Sequence, residues 1–360
     1  MINFADLNYL DVKKNFSKIF IDLDRKKLSM RTNQIWKFYY QKGYFKPSLF
    51  SNLPSEIIKA IENKINFTRL KIKKKQLSKD GTIKWLLELK DKNLVETVYI
   101  PSESHGTLCI SSQVGCTLNC KFCHTGTQPL VKNLSSNEII NQIMVAKDEL
   151  NEWFEQKKIN NIVYMGMGEP LYNFENVKKS VQILKDTNGL NFSNKRITIS
   201  TSGISPNIKK AANEIGTYLA LSLHAPNNNI RNSLMPINKK FNIKNIIEDC
   251  NHYAKENKNK IFIEYVLLKN INDSAKCAKQ LSNIMSKFPC KLNLIQFNPW
   301  PGVKYTPSTY EQTLKFIEIV QKNGHIVTLR KSRGDDILGA CGQLKTASGR
   351  AKRFSSFLKN

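Results

Sequence analysis

A chain of 360 residues with a formal net charge of +27 and eight cysteines is long enough to bury one large core beside a smaller one. No apolar stretch approaches the roughly 20 residues that cross a bilayer, and the first residues, Asp6 and Asp11 among them, lack the profile of a secretory signal. A membrane protein and a disulfide-built secreted domain are set aside on these grounds, a cytoplasmic setting is expected, and the basic excess suits a polyanionic partner, nucleic acid above all.

Residues 1–65 read as helical. Ile35, Tyr39 and Tyr40 fall at helical spacing within Gln34–Tyr44, which stops near Gly43, and a second helix is expected after Pro54 through Ile57, Ile58, Ile61 and Ile65. Strands follow at 71–76, 82–89 and 95–100, with Asp80-Gly81 as a hairpin turn. Lys71, Lys73, Lys74 and Lys75 fit either a phosphate-tracking strand or a solvated face. Residues 101–105 read as a linker. From Thr107 onward, strands at 107–112, 159–165, 195–200, 217–223, 260–267 and 291–297 alternate with helices near 135–154, 173–187, 206–214, 241–257, 273–287 and 308–322. Six such units imply a parallel sheet, open or curled. The expected architecture is therefore α/β. A partial (β/α)6 barrel at 101–337 follows a small basic α+β domain at 1–100 and precedes a C-terminal segment, 338–360, with a basic tail (Lys345, Arg350, Lys352, Arg353, Lys359). Sites on such sheets gather at the carboxyl ends of the strands.

The chemistry-bearing residues follow the same order. Gly115-Cys-Thr-Leu-Asn-Cys-Lys-Phe-Cys123 supplies three thiols, Cys116, Cys120 and Cys123, from one loop. Four would close a metal site, whereas three on a 4Fe–4S cluster leave one iron open to an outside ligand. A zinc knot completed by His124 is the alternative, although adjacent Cys123 and His124 reach a single tetrahedral ion with difficulty. In Met165-Gly-Met-Gly-Glu-Pro170 the glycines let a ligand approach the backbone closely. Ser200, Ser222-Leu223-His224 and Asn298 sit at strand ends. Cys341, between Gly339 and Gly342 and near Arg330, Lys331 and Arg333, reads as an exposed, movable thiol. Cys109 lies inside a strand and on its own reads as core; Cys250, Cys277 and Cys290 are most simply structural.

The ordered set of Glu96-Thr-Val-Tyr-Ile-Pro101, Cys109-Ile-Ser-Ser-Gln-Val-Gly-Cys116, Met165-Gly-Met-Gly-Glu-Pro170, Ser200-Thr-Ser-Gly203, Leu221-Ser-Leu-His224, Phe297-Asn-Pro299, Gly334-Asp-Asp-Ile337 and Ala340-Cys-Gly-Gln343 resembles the RlmN/Cfr family of radical-SAM RNA methyltransferases. It covers about Glu96 to Leu344. The resemblance implies a 4Fe–4S cluster on Cys116, Cys120 and Cys123, and S-adenosylmethionine (SAM) held by Gly168, Glu169, Ser200, Ser222, Leu223, His224 and Asn298. It also implies two SAM molecules per turnover. One methylates Cys341; the other yields a 5′-deoxyadenosyl radical that takes hydrogen from the new S-methyl group. The methylene radical then adds to an adenine carbon, Glu96 takes the ring proton, and Cys109 releases the product through a transient disulfide with Cys341. The implied substrates are 23S rRNA and tRNA, methylated at adenine C2. The implied partners include an electron donor such as flavodoxin or ferredoxin, the protein acting as a monomer with no membrane. Methylation at C8, a radical-SAM enzyme acting on protein or small molecules, and a non-catalytic iron–sulfur or zinc RNA-binding protein stay open as alternatives.

Overall fold

The computed structural model describes residues 1–103 and 105–346; the predicted basic tail beyond Thr346 lies outside the described residues. Three helices open the chain: α1 (Tyr9–Ile19), α2 (Arg25–Tyr40) and α3 (Ser55–Lys64). Each starts where a local signal dictates. The Asn8 and Asp24 side chains accept the orphan amides of Asp11 and of Lys26 and Lys27, and Pro54 precedes α3. Their apolar faces meet around an aromatic knot of Phe4, Trp36, Tyr39, Tyr40 and Phe67.

A single ten-stranded sheet follows, its strands ordered as they occur in the chain. Strands β1 (Lys71–Leu77), β2 (Ile83–Glu88) and β3 (Leu94–Ile100) are antiparallel. Asp80-Gly81 makes the β1–β2 turn, with Gly81 at φ +83°. Strand β3 continues antiparallel onto β4 (Gly106–Cys109), so residues 101–105 join two strands of one sheet. Six parallel neighbours complete it: β5 (Ile159–Tyr164), β6 (Ile197–Thr201), β7 (Tyr218–Ser222), β8 (Ile261–Leu267), β9 (Cys290–Gln296) and β10 (Val327–Arg330). Between them run α4 (Ser136–Glu149), α5 (Phe174–Lys185), α6 (Ser205–Glu214), α7 (Asn228–Leu234), α8 (Ile243–Asn257), α9 (Ala275–Met285) and α10 (Tyr310–Lys322).

The parallel part is curled. Five strand spacings separate β5 from β10, roughly 24 Å across a flat sheet, yet Arg330 Nη1 reaches within 3.9 Å of the sulfur of Met165, one residue past β5. The sheet is a barrel left open, with β10 as one edge. It contains seven parallel strands, one more than the six expected, because β10 is only four residues long. Two lysines offered as phosphate trackers are engaged elsewhere: Lys73 pairs with Glu88 and Lys75 with Glu149, each at 2.8 Å. Among the described residues no helix is long and apolar enough to cross a membrane.

Candidate active site

The loop between β4 and α4 carries the cysteine triplet. Its entry is fixed by Gly115 (φ +76°), where a Cβ would stand 2.1 Å from the Pro129 carbonyl. The loop closes through Cys116 N–H to Gln128 O (3.0 Å) and is tied to α7 through Lys121 N–H to Leu234 O (2.9 Å). All eight cysteines are free thiols. Burial pushes Cys116 up to about 12 and raises Cys120 and Cys123 as well; Cys120 is raised further by the charges of Cys123 and Cys116. Three neighbouring thiols, one buried and two half-buried, whose charges disfavour one another suit a cationic centre, which an iron cluster provides, and the loop fits that group. It does not fit a zinc knot. The His124 ring stacks on Trp300 (4.5 Å, 7° between planes) and its Nδ1 lies 3.1 Å from Gln343 O. Among the described residues no three His, Cys, Asp or Glu side chains gather tightly enough to hold one ion.

Beside Cys120 and Cys123 opens a cavity lined by Gly168, Glu169, Ser200, Ser222, His224 and Arg330, with Cys341 at its side. These residues stand at or just beyond the carboxyl ends of β5, β6, β7 and β10, the end at which a curled parallel sheet gathers its ligands. Gly168 turns at φ +95°, and a Cβ there would meet the Gln113 Cβ at 2.4 Å. Gln113 in turn accepts the Glu169 amide at 2.9 Å. The Glu169 carboxylate is buried and takes the amides of Ser202 (2.8 Å) and Leu171 (3.1 Å). Burial holds its pKa up at about 7, against those two amides. No described side chain forms an ion pair with it, so the cavity supplies a carboxylate awaiting a cation, and the ammonium of SAM fits that role.

His224 adopts φ +54° and takes the Val266 amide on Nδ1 at 3.1 Å. Burial, followed by the Arg231 charge, lowers its pKa to about 3. The ring is therefore neutral and carries its proton on Nε2. Ser200 and Ser222 share a hydroxyl contact of 3.4 Å. Leu223 is fully buried and lines neither cavity; only its backbone participates, through its carbonyl to Arg231 Nε (3.1 Å).

A second cavity shares Met165, Ile295, Arg330, Cys341 and Leu344 with the first and adds Cys109, Asn298, Lys331, Ser332 and Arg333. Cys341 thus stands at the junction, and Cys109 lines the second cavity with it. Burial pushes Cys109 up to about 12; Cys341 adds to the shift and Arg330 opposes it. The charge of Cys341, then that of Glu264, raises Arg330. Asn298 lies on this second cavity rather than the first, accepting the Ser332 hydroxyl (2.8 Å) and donating to Cys341 O (3.5 Å).

One expectation is corrected here, and one candidate residue is found enclosed. Cys341 is half-buried rather than exposed, because the segment 340–346 is strapped down at both flanks. The His124 amide donates to Gly342 O (2.7 Å), Thr125 Oγ1 to Leu344 O (2.6 Å) and Gln128 Nε2 to Thr346 O (2.6 Å). Glu96 opens onto neither cavity: its carboxylate is closed off by Lys84 (3.0 Å) and the Lys345 amide (2.9 Å). Burial still raises its pKa, against Lys84.

Two residues that build the site, Arg231 and Glu264, carry no motif in the sequence. Arg231 is fully buried and fastens the ends of β6 and β7, donating to Ser202 O (2.6 Å), Ser222 O (3.2 Å) and Leu223 O. Glu264 holds Arg330 at 3.3 Å and accepts Asn293 at 2.8 Å. A carboxylate inside the apolar run Ile261–Leu267 was the available signal, since a buried charge demands a partner.

Residues 110–277 match the Radical SAM superfamily. The chain is 46% identical over 351 residues to the dual-specificity RNA methyltransferase RlmN of Chelativorans sp. (strain BNC1), covering 92% of this chain and 86% of that protein. It is 47% identical over 343 residues to that of Parvibaculum lavamentivorans, with the same coverage. A radical SAM methyltransferase from Sphaerobacter thermophilus superimposes with a TM-score of 0.89 at 34% identity, covering 96% of this chain and 99% of the other. With such identity along nine-tenths of its length, and with a cysteine loop and a carboxylate-bearing cavity that suit a 4Fe–4S cluster and SAM, the chain belongs to the RlmN family of radical-SAM enzymes.

Proposed function

We propose that the chain methylates C2 of adenosine in 23S rRNA and in tRNA through a methylated Cys341. The observation that carries this reading is the position of Cys341 on the shared wall of two cavities, with a second thiol, Cys109, lining the second of them. Simple methyl transfer to RNA needs no second thiol; release from a protein sulfur does.

Cys116, Cys120 and Cys123 hold the cluster, and Gly168, Glu169, Ser200, Ser222 and His224 hold SAM, with Leu223 contributing backbone only. Together these groups supply, when bound, an electrophilic methyl for one half-reaction and a carbon-centred radical for the other. The Cys341 thiolate displaces the methyl from its sulfonium sulfur, forming the S–CH3 bond. Arg330 lines both cavities together with Cys341. The target base enters the second cavity, with its apolar wall of Ile100, Met165 and Ile295 and its basic rim of Lys331 and Arg333. Glu96 takes the proton from the base carbon once the strap over it lifts. Cys109 then attacks the Cys341 sulfur and frees the product, and the resulting disulfide is reduced again, which suits a cytoplasmic setting. Residues 1–100 serve as the accessory RNA-binding domain, residues 101–337 as the radical-SAM core, and residues 338–360 carry the reactive loop. A flavodoxin or ferredoxin supplies electrons to the monomer.

The test is anaerobic turnover of the reconstituted enzyme on an unmodified 23S rRNA fragment and on tRNA, followed by nucleoside mass spectrometry. 2-Methyladenosine formed alongside 5′-deoxyadenosine supports the proposal. 8-Methyladenosine replaces the C2 assignment, and SAM cleavage without a methylated nucleoside removes these RNAs as substrates.

A further inference from the structure

Lys84 is a lysine in a place that disfavours one. It lies within β2 at 5% exposure, and a buried ammonium is tolerated only when paired and hydrogen-bonded. Register supplies the pair: Lys84 stands opposite Val98 and Leu86 opposite Glu96, so Lys84 and Glu96 are diagonal neighbours on one face of the sheet. Their charged atoms meet at 3.0 Å. The same ammonium donates to the Leu338 carbonyl at 3.0 Å, and the other Glu96 oxygen takes the Lys345 amide at 2.9 Å. The stretch from Leu338 to Lys345, which contains Cys341, is thus fastened at both ends by one ion pair. Leu338 itself sits at φ +52°, a conformation that a branched side chain adopts only when its surroundings impose it. The β1–β2 turn adds an outer hold, with the Gly334 amide on Asp80 (3.0 Å) and the Ser78 hydroxyl on Asp336 (2.6 Å).

We propose that Lys84 is a positioning residue for the RNA-dependent half of the reaction, holding the Glu96 carboxylate in register with the Cys341 loop. The inference rests on Glu96 being the base. In that step the C–H bond at the attacked adenine carbon breaks, its proton goes to the Glu96 carboxylate, and its electron pair restores the ring. The unpaired electron left by radical addition passes to a one-electron acceptor, a role that an oxidised iron–sulfur cluster would fill. A carboxylate raised by burial is a poor resident of this site unless a cation keeps it ionised, and Lys84 is the charge in contact with it. The other groups facing Glu96 are Lys74 from β1 and the Lys345 amide from the strap. His124, beyond the strap, faces Lys84 and Lys345. Loss of Lys84 raises the Glu96 pKa further and empties the base form at higher pH.

The test compares Lys84→Gln, Lys84→Met, Lys84→Arg, Glu96→Gln and the Lys84→Gln/Glu96→Gln double variant, all with the cluster reconstituted. Three quantities are measured: RNA-free methylation of Cys341 by intact-protein mass, methyladenosine formation from pH 6 to 9, and thermal unfolding. The expected result for Lys84→Gln is roughly tenfold slower methyladenosine formation at pH 7, with Cys341 methylation within about threefold of the parent. Its acidic limb moves up by about one pH unit or more, Lys84→Arg recovers most of the rate, and the double variant is no slower than Glu96→Gln. Lys84→Gln keeps a donor for Leu338 O, so the comparison survives if Lys84→Met fails to fold. An unchanged rate and pH profile in Lys84→Gln beside an inactive Glu96→Gln overturns the inference alone. Multiplied losses in the double variant, or equal loss of both half-reactions, reduce Lys84 to a packing role and also overturn it. Wild-type turnover by Glu96→Gln removes the base assignment first and this inference with it.

Discussion

The Ser202 amide donates to Glu169 Oε2 at 2.8 Å, joining the loop after β6 to the loop after β5 across the floor of the first cavity. That bond and the Leu171 amide orient the carboxylate without neutralising it, and burial keeps its pKa near 7 rather than 4.5. An ammonium ligand binds only the ionised form. SAM affinity is therefore expected to be flat above about pH 8 and to weaken below pH 7 toward tenfold per pH unit, as read by calorimetry. Stability runs the opposite way: between pH 4.5 and 7 the folded state holds a proton that the unfolded state has lost, so ligand-free stability falls as pH rises through that window. Glu169→Gln should flatten that portion of a pH–melting curve and weaken SAM at least tenfold at pH 8; an unaltered affinity rules out the ammonium contact.

Gly168 offers a steric test of the same wall. Alanine there must hold φ +95° and place its Cβ 2.4 Å from Gln113, the residue that accepts the Glu169 amide. Left-handed strain alone costs on the order of 1–3 kcal/mol, and moving Gln113 disturbs the carboxylate. Gly168→Ala is expected to lower the melting temperature by several degrees and SAM affinity by more than tenfold. Normal affinity with a lowered melting temperature confines Gly168 to a structural role.

The alternation of strands and helices was legible because each parallel strand is a buried apolar run and most of the intervening helices announce their starts. Ser135, Asn242, Ser274 and Thr309 all cap first-turn amides. Strand β10 was not legible, since four half-exposed residues on a sheet edge carry no period of their own. Helix α7, seven mostly polar residues, was hidden for the same reason. The cavity residues on motifs could be named in advance; their partners could not. Cys341 looked exposed because its glycine neighbours suggest mobility, whereas its burial comes from bonds between residues about 220 positions apart, Thr125 with Leu344 and Gln128 with Thr346. Glu96 was found by resemblance, but that a lysine twelve residues earlier seals it depends on strand register, which the local sequence leaves unspecified.

The rim of the second cavity predicts a salt effect. Lys331 and Arg333 are exposed beside Cys341, and Arg333 stands 4.0 Å from Asp80. If they meet RNA phosphates, each alanine substitution should reduce the slope of log affinity against log salt by about one and raise the KM for RNA several-fold. Filter binding across 50–200 mM salt measures the first and steady-state kinetics the second. Unchanged slopes place the RNA backbone elsewhere.

The pair Cys109 and Cys341 gives the most direct chemical test. In the proposed mechanism, methyl transfer to Cys341 and addition to the base make no use of Cys109, which acts only in release. Cys109→Ala is thus expected to form an RNA–protein adduct stable to denaturation, one per active enzyme, with methyladenosine reduced at least 100-fold. The parent enzyme adds a pH dependence. A Cys109 thiol held up at about 12 by burial is almost wholly protonated at pH 7, and its thiolate fraction rises about tenfold per pH unit below that value. Adduct decay in a single-turnover experiment should accelerate toward that slope between pH 7 and 9. Cys109→Ser, whose hydroxyl does not ionise in this range, should abolish the acceleration. Release that is fast and independent of pH in the parent enzyme means that RNA entry has already rebuilt the thiol's surroundings, with Arg330, poised between the two cavities, the charge best placed to lower its pKa.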